Sequence, residues 1–512
     1  MNKKAIILFF PIVKDVGIHL VFPVALLHLE RMVRHLDIEI ILLDEQLNRN
    51  YTDIIRQTQG RLLFAGVSAV VGPQVKNGVK FSETVKSITG APIIWGGWFA
   101  TAYPKLVLND GYADYVCIGQ GELPFKAFTE RMLSSEDISD IPGIGYKKNG
   151  QTFVNSNLGL VNPNSFPLID RTLIDLNSLI DLNGKVAPEF RVLFYTASYG
   201  CPHKCNYCSS AHIFQQKWYA KKKSEVIDDL KYYKEKASIS QVIFWDDNFF
   251  TNKKFSLEFC NELISSGLSL TWTAQSQVHN FLKNYSDEDI QLMYKAGCRR
   301  LMIGAESGDQ ETLDMLNKKT RVEENLEMVR LCKKHNIRTR LHFMICFPPD
   351  PDKDFWATMN IVGRAVLIDR AVEVGIKFFK PIAGTTIYQL CLDNGFVDPL
   401  TTNELIDSFP NKTDPPWYKR NYRKERDNFV NFYFLFASPF YFMTFPLKYR
   451  PIMLLLSLFL YPIVFIRFKL NWMKFPIEAR ILRKIIPSAK EITFLDTKSF
   501  NKAKYSKIVA ED

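Results

Sequence analysis

The segment Tyr199–Ser210 reads YGCPHKCNYCSS and sets Cys201, Cys205 and Cys208 in a C-x3-C-x2-C run with no fourth cysteine close behind. Structural zinc takes four ligands, commonly from two C-x2-C knuckles or Cys/His pairs. Here His203 or His212 would have to complete the set, and no second knuckle is present. A [4Fe-4S] cluster explains the shortfall better, because three thiolates leave one iron open to another ligand. An open iron suits binding and reducing a small molecule rather than only storing an electron.

Working outward, the cysteine loop follows an apolar run, RVLFYTAS, that opens a strand–helix alternation. SQVIFWDD, LTWTAQS, RRLMIGAE, IRTRLHFMICF and VGIKFFKPI continue it, which gives six strand candidates and predicts a partial or full (β/α) barrel over 191–400. Chemistry on such a barrel gathers at the C-terminal ends of the strands. The cysteine loop, Asp246-Asp247-Asn248, Gln275–His279 and Glu306 all fall at those ends. Asp246 and Asp247 suit an ammonium ligand, although two acids at a strand end also serve as helix caps.

Residues 1–160 carry a separate alternation. AIILFF, IEIILL, LLFAGVSAV, PIIWGG and ADYVCIG read as buried parallel strands with amphipathic stretches between them. That order predicts a doubly wound parallel sheet with its ligand at the carboxyl ends of the strands. No G-x-G-x-x-G opens the first helix, which argues against a nicotinamide or flavin dinucleotide. Gly96, Gly97, Gly119 and Gly121 instead follow later strands, where glycine lets backbone approach a ligand or simply makes a tight turn. Residues 161–190, rich in Asn, Pro and Asp, read as a linker.

Residues 401–512 form an apolar, aromatic and mainly helical region interrupted by Pro439, Pro446 and Pro451. Its longest charge-free piece, Pro451–Ile466, is shorter than the roughly 20 residues of a spanning helix. Three readings stay open: attachment at a membrane surface, burial against the barrel, and lining of a hydrophobic substrate pocket. The N-terminus, MNKKAIILFFPIVKD, imitates a signal peptide, but the apolar run is short and Lys14 and Asp15 close it. A cytoplasmic protein is expected, with peripheral contact at the inner face of the membrane as one alternative.

The whole chain has 512 residues, 47% hydrophobic and 23% charged, enough for two or three domains. Its net charge of +11 is not gathered into a Lys/Arg block, so a solvated surface is expected and no nucleic-acid partner. Nine cysteines, three of them clustered, suit a reducing compartment and metal chemistry rather than a disulfide scaffold. Cys260, Cys298, Cys332, Cys346 and Cys391 lie in apolar contexts and read as small core residues.

The cysteine loop, with Tyr207 before its last cysteine, resembles that of the radical S-adenosylmethionine (SAM) superfamily. WDDNFFTN (Trp245–Asn252), LMIGAESGDQETLDMLNKK and FKPIAGTTIY resemble later segments of the same barrel, in the same order. The resemblance implies that Cys201, Cys205 and Cys208 ligate a [4Fe-4S] cluster whose open iron is chelated by SAM. It further implies that Tyr207, Asp246, Asp247, Asn248, Glu306 and Ser307 contact SAM, with Glu306 accepting from the ribose hydroxyls. Reduction would cleave SAM to methionine and a hydrogen-abstracting 5′-deoxyadenosyl radical. VGPQVKNGV and WGGWFATAYPKLVL make the N-terminal domain similar to the cobalamin-binding domain of the cobalamin-dependent branch. That places Ser68, Val70, Gln74, Gly96, Gly97, Trp98, Gly119, Gly121 and Glu122 around cobalamin.

Three departures stand out. Asp15–His19 does not match the D-x-H-x-x-G loop of better-known cobalamin domains, so no histidine ligand to cobalt is carried over. Ser276-Gln277 replaces a frequent S-R, and FMICFPPD sets Cys346 and Pro349 where relatives often have glycine. The expected function is cobalamin-dependent radical SAM methylation of an unactivated carbon on a small, lipophilic substrate, served by an electron donor such as flavodoxin or ferredoxin. The alternatives are an oxidative cyclase or rearrangement enzyme with the same cofactors, and a non-catalytic iron–sulfur redox protein. Methylthiolation is disfavoured because the N-terminal domain holds only Cys117.

Overall fold

The structure is a computed structural model that describes residues 3–12, 22–48, 50–70, 72–184, 191–408, 414–429, 450–470, 472 and 477–478. The departure at Asp15–His19 and the apolar run 430–449 lie outside the described residues.

The N-terminal sheet has seven strands: β1 (Ala5–Phe10), β2 (Glu39–Asp44), β3 (Leu62–Ser68), β4 (Ile93–Gly96), β5 (Tyr115–Cys117), β6 (Ile144–Lys148) and β7 (Gln151–Val154). Their order is β2-β1-β3-β4-β5-β6-β7, with β1 to β5 parallel and the last two antiparallel. Helices cover both faces, so β1 is buried at every position and reads as an unbroken apolar run rather than an alternation. Two cores result, one around Phe9, Phe81 and Trp95, the other around Phe64, Phe125 and Phe128. This is the doubly wound α/β sheet that the sequence predicts. The β6–β7 hairpin was not among its expectations; Asn149 and Gly150, both at positive φ, make its turn.

The second unit begins with β8 (Val192–Tyr195), followed by a short antiparallel pair, β9 (Ser198–Gly200) and β10 (Trp218–Ala220). The strands β11 (Gln241–Phe244), β12 (Thr271–Ser276), β13 (Cys298–Glu306), β14 (Arg338–Ile345) and β15 (Glu373–Phe378) then extend β8. All six of the larger sheet are parallel, in the order β15-β14-β13-β12-β11-β8. Among the described residues, helices pack on the outer face. There Phe244, Phe249, Phe259 and Trp272 interlock edge to face or tilted, a geometry that favours aromatic rings beyond their buried area. The inner face is a partial barrel lumen.

The two units are tied together along the chain. Ile174, Leu176, Leu179 and Ile180, from the expected linker, are buried in the barrel's core. Residues past the barrel return to the N-terminal domain: Thr402 hydroxyl meets Tyr112 hydroxyl at 2.9 Å, and Leu405 joins the core around Trp95. The helix Arg450–Lys469 packs on the helix Pro351–Ile368 and buries Val464 and Phe468 in the barrel's core. It exposes Leu455, Leu458, Phe459 and Ile466. No helix among the described residues is long and apolar enough to cross a membrane.

Candidate active site

The cysteine loop leaves β9 through Gly200, whose φ is +80° and whose Cβ, if present, would sit 2.2 Å from the Lys217 carbonyl. Only glycine fits that approach. Downstream, the loop is fastened by the turn after the Glu306 strand. Asn206 N–H donates to Leu316 O at 2.9 Å, Asn206 Nδ2 to Met315 O at 2.7 Å, and Asn317 Nδ2 to Lys204 O at 2.7 Å. Ile387 N–H donates to Asn206 O at 3.0 Å, so the chain beyond the last barrel strand grips the loop too.

Cys201, Cys205 and Cys208 are each half-buried on this loop. Among the described residues they are not drawn round one point as a ready metal site. Burial pushes all three thiols up, Cys201 to about 12, so thiolate ligation needs positive charge nearby. Lys318 supplies some, acting downward on Cys205 and Cys208. Its Nζ donates to Glu306 Oε1 at 3.0 Å and to Tyr207 hydroxyl at 3.1 Å, which joins two expected SAM contacts through one buried cation. The sequence reading missed Lys318; its signal was its place in LNKK, a run that starts eight residues beyond the end of G-x-E-S-G.

Glu306 ends β13 at φ +62°, a left-handed conformation uncommon for a non-glycine residue and of the kind found at functional sites. Ser307 is fully buried and donates to Asp354, whose Oδ2 also accepts from Cys346 N–H at 2.6 Å. Cys346 itself sits at φ +67°, which explains why glycine would be usual there.

The paired aspartates divide. Asp246 is 1% exposed; its carboxylate accepts from Ser198 hydroxyl at 2.5 Å and from Ala197 N–H at 3.2 Å. Burial raises its carboxyl to about 7. It therefore anchors the strand leading into the cysteine loop. Asp247 is exposed and accepts from Ser210 hydroxyl at 2.7 Å. Asn248 is 2% exposed with neither side-chain Oδ1 nor Nδ2 partnered. A buried amide with both ends open costs free energy unless a ligand meets it, and an amino-acid ligand such as SAM offers both partner types.

Across the interface, Ser68, Gly96, Gly97, Gly119, Gly121 and Glu122 line one cavity of about 170 Å³ at the carboxyl ends of β3 to β5. Gly97 has φ +84°, and a Cβ there would lie 2.7 Å from Ala69 O. Val70, Gln74 and Trp98 are not among the lining residues; Val70 is exposed, its N–H donates to Gln74 Oε1 at 2.9 Å, and Gln74 Nε2 donates to Pro11 O at 2.9 Å, so Gln74 ties this turn to the end of β1. His28, not anticipated from sequence, also lines the cavity and lies 3.4 Å from Glu122, which Arg31 meets at 3.0 Å. Burial opposes ionisation of Glu122, but His28 and Arg31 hold its carboxyl below the usual range.

The two sites face each other. Trp98 Nε1 donates to Ser209 Oγ at 2.5 Å, one residue past Cys208, and Tyr199 hydroxyl meets His28 Nε2 at 3.1 Å. A cavity floored by glycines at one sheet's strand ends thus lies next to a three-thiol loop at the other's.

Residues 17–129 match the family model of the B12 binding domain, and residues 195–362 that of the Radical SAM superfamily. The chain belongs to the cobalamin-dependent radical SAM enzymes, and the cofactors of those two domains are a [4Fe-4S] cluster, SAM and cobalamin. It is 26% identical to an uncharacterized methyltransferase of Pyrococcus horikoshii over 61% of this chain and 65% of the other. It is 23% identical to the anaerobic magnesium-protoporphyrin IX monomethyl ester cyclase of a Synechocystis species, over 51% of each. The chain thus spans about half to two thirds of the length of these curated relatives. Its fold resembles that of the radical SAM methyltransferase TsrM of Kitasatospora setae, solved with cobalamin and a [4Fe-4S] cluster bound. The TM-score is 0.64 at 15% identity, covering 82% of this chain and 85% of the other.

Proposed function

We propose that the enzyme methylates an unactivated carbon of a small, lipophilic substrate. One observation carries this reading. The loop beside the thiols and the loop beside the glycine-floored cavity are hydrogen-bonded to each other through Trp98 and Ser209. When bound, cluster and SAM supply hydrogen abstraction and cobalamin supplies the methyl group.

In this reading Cys201, Cys205 and Cys208 hold the cluster, and Tyr207, Asp247, Asn248 and Glu306 frame SAM. Asp246 and Ser307 act from behind, fixing the strands that carry those groups. Lys318 balances the negative charge of Glu306 and the thiolates, and the buried walls exclude water. Ser68, Val70, Gly96, Gly97, Trp98, Gly119, Gly121 and Glu122 surround cobalamin, with Gln74 bracing Val70. The division into 1–160, 161–190, 191–400 and 401–512 belongs to the same proposal, as does a flavodoxin- or ferredoxin-type electron donor. The apolar outer face of the helix Arg450–Lys469 supports contact with a membrane surface, from which a lipophilic substrate would be drawn.

The likeness to the Synechocystis cyclase supports a second reading, oxidative cyclisation with the same cofactors. Anaerobic reconstitution with cluster, cobalamin, SAM and reductant separates the two. S-adenosylhomocysteine together with 5′-deoxyadenosine is expected for methylation. Deoxyadenosine without S-adenosylhomocysteine would instead favour the cyclase, and neither product from loaded protein would refute both.

A further inference from the structure

The cysteine loop turns its two flanks to different surroundings. Beyond Cys208 it meets the N-terminal domain, where Ser209 accepts from Trp98 and Ile213 O accepts from Asn157 Nδ2 at 3.1 Å. Between Cys201 and Cys205 it comes to the surface, with Pro202 and Lys204 exposed on either side of His203. Three neighbours hold this outer flank. Asn317 Nδ2 donates to Lys204 O at 2.7 Å, so the turn that carries Lys318 and Lys319 lies against Lys204. Asn280 Nδ2 lies 3.2 Å from His203 Nε2, which brings up the helix Val278–Asn284 with Lys283 about one turn further on. At the entry to the loop, a Cβ on Gly200 would sit 2.2 Å from Lys217 O, so Lys217 stands beside it.

These segments are basic. Residues 199–217, 277–284 and 312–321 contain Lys204, Lys217, Lys283, Lys318, Lys319 and Arg321 against one acid, Asp314. Lys318 is taken by Glu306 inside the barrel, and Arg321 Nη2 reaches Glu324 at 3.8 Å. Lys204, Lys217, Lys283 and Lys319 are exposed, and among the described residues none of their ammonium groups meets an acid or a hydrogen-bond partner. Elsewhere on the barrel exposed lysines do find acids: Lys253 pairs with Asp289, Lys334 with Asp287 and Lys353 with Glu311. Four like charges gathered round one loop repel each other, a cost that salt or an acidic partner relieves. The stretch they surround is bounded by Cys201 and Cys205, both half-buried.

We infer that this basic rim is the docking surface for an acidic protein that donates single electrons to the cluster. This rests on the radical SAM reading and names the face its redox partner uses. One electron leaves the donor, which is oxidised by one, and enters the cluster held by the three thiolates, which is reduced by one; no bond of the chain is made or broken. The donor meets the flank of the loop that the N-terminal domain leaves uncovered.

The test is stopped-flow reduction of the anaerobically reconstituted holoenzyme, read by the spectral changes of cluster and donor. Reduced flavodoxin and reduced ferredoxin are the acidic probes, and photoreduced deazariboflavin is an uncharged small reductant. At least one protein donor should reduce the wild-type cluster, and which one does so distinguishes a flavin from an iron–sulfur source. Its rate should fall by about fivefold or more as salt is raised, since steered association is screened. K204E/K319E and, independently, K217E/K283E should each slow that donor by about tenfold or more, because rim charges act on association. Deazariboflavin should reduce both variants as fast as wild type. The second pair keeps the test open should the first fail to load its cluster. Equal donor rates for wild type and variants, a rate that salt does not slow, or protein donors that fail where deazariboflavin succeeds would overturn the inference. Failure to load iron, or failure of deazariboflavin on loaded wild-type protein, overturns the radical SAM reading and this inference with it; iron content measured on the same preparations tells the two kinds of failure apart.

Discussion

Lys318 and Glu306 form a buried ion pair whose energetics can be worked from the structure. Their side chains are 9% and 11% exposed and 3.0 Å apart. Replacing Lys318 by Met strands Glu306 as an uncompensated carboxylate; breaking a buried pair in this way costs about 3–5 kcal/mol. Replacing Glu306 by Gln strands the lysine instead, with a ceiling set by deprotonating it: about 3.4 pH units at pH 7, or ~4.6 kcal/mol. In the double variant K318M/E306Q no charge is stranded, so its cost falls to about 1–2 kcal/mol. The coupling energy is then at least ~2 kcal/mol, well beyond what independent sites show.

A chain with several cores need not unfold in one step, so the readout is local. The Asn206 amide is bonded to Leu316 O, two residues before Lys318, and reports opening of the cysteine loop. Hydrogen exchange of peptides spanning 199–208 and 304–318 in the cluster-free protein is the assay. K318M should accelerate exchange at Asn206 by about 100-fold, since 1.4 kcal/mol is a decade, and the double variant should return to within about tenfold of wild type. Additive single effects, or no acceleration in K318M, would show that the pair does not hold the loop.

Substituting any one of Cys201, Cys205 or Cys208 by Ala should abolish iron uptake and the broad visible absorbance of a reconstituted cluster; a variant that retains both would remove that residue from the ligand set. Gly97→Val combines a forbidden φ with a 2.7 Å approach to Ala69 O, so aquocobalamin binding should fall by at least tenfold while iron content stays unchanged. The pH dependence of stability should report Asp354, whose carboxyl burial raises from 3.8 to about 7. A raised acid makes no difference below about pH 4, destabilises the fold progressively as pH rises from 4 to 7, and costs a constant ~4 kcal/mol above that. Asp354→Asn should therefore gain on wild type across that window when thermal midpoints are compared pH by pH. A constant offset between the two curves would show that Asp354 does not titrate there.

Much of the fold was legible because a parallel strand covered on both faces prints as an apolar run and one covered on a single face prints as an alternation. AIILFF is such a run and IRTRLHFMI such an alternation, and each fell on its strand. The β6–β7 hairpin escaped notice although Asn149-Gly150 signals one, because YKK and QTFV are too polar to read as buried strands. At the site, residue types were legible but directions were not. Asp246 and Asp247 are adjacent letters of one motif, yet the alternation of the chain buries one under Ser198 and exposes the other. Lys318 and His28 went unread because each acquires its meaning from a contact distant in the sequence: Lys318 with Tyr207, 111 residues away, and His28 with Tyr199, 171 residues away.

Those long-range contacts also explain how one chain holds two cofactors in a working relation. Trp98 follows Gly96 and Gly97 of the glycine-floored cavity and Ser209 follows the last cysteine, so their hydrogen bond joins the cavity's loop to the cysteine loop rather than remote parts of the domains. Tyr199, on the strand that leads into the cysteine loop, meets His28 of the helix Val24–Val33, with Glu122 and Arg31 behind. The cysteine loop is in turn gripped by Asn206's bonds to Met315 and Leu316, and Lys318 ties that turn to Glu306. In the proposed function, methyl donor and radical source would thus be referenced to one connected set of loops. Transfer between two bound groups requires that placement, since reactive atoms misplaced by an ångström lose rate steeply.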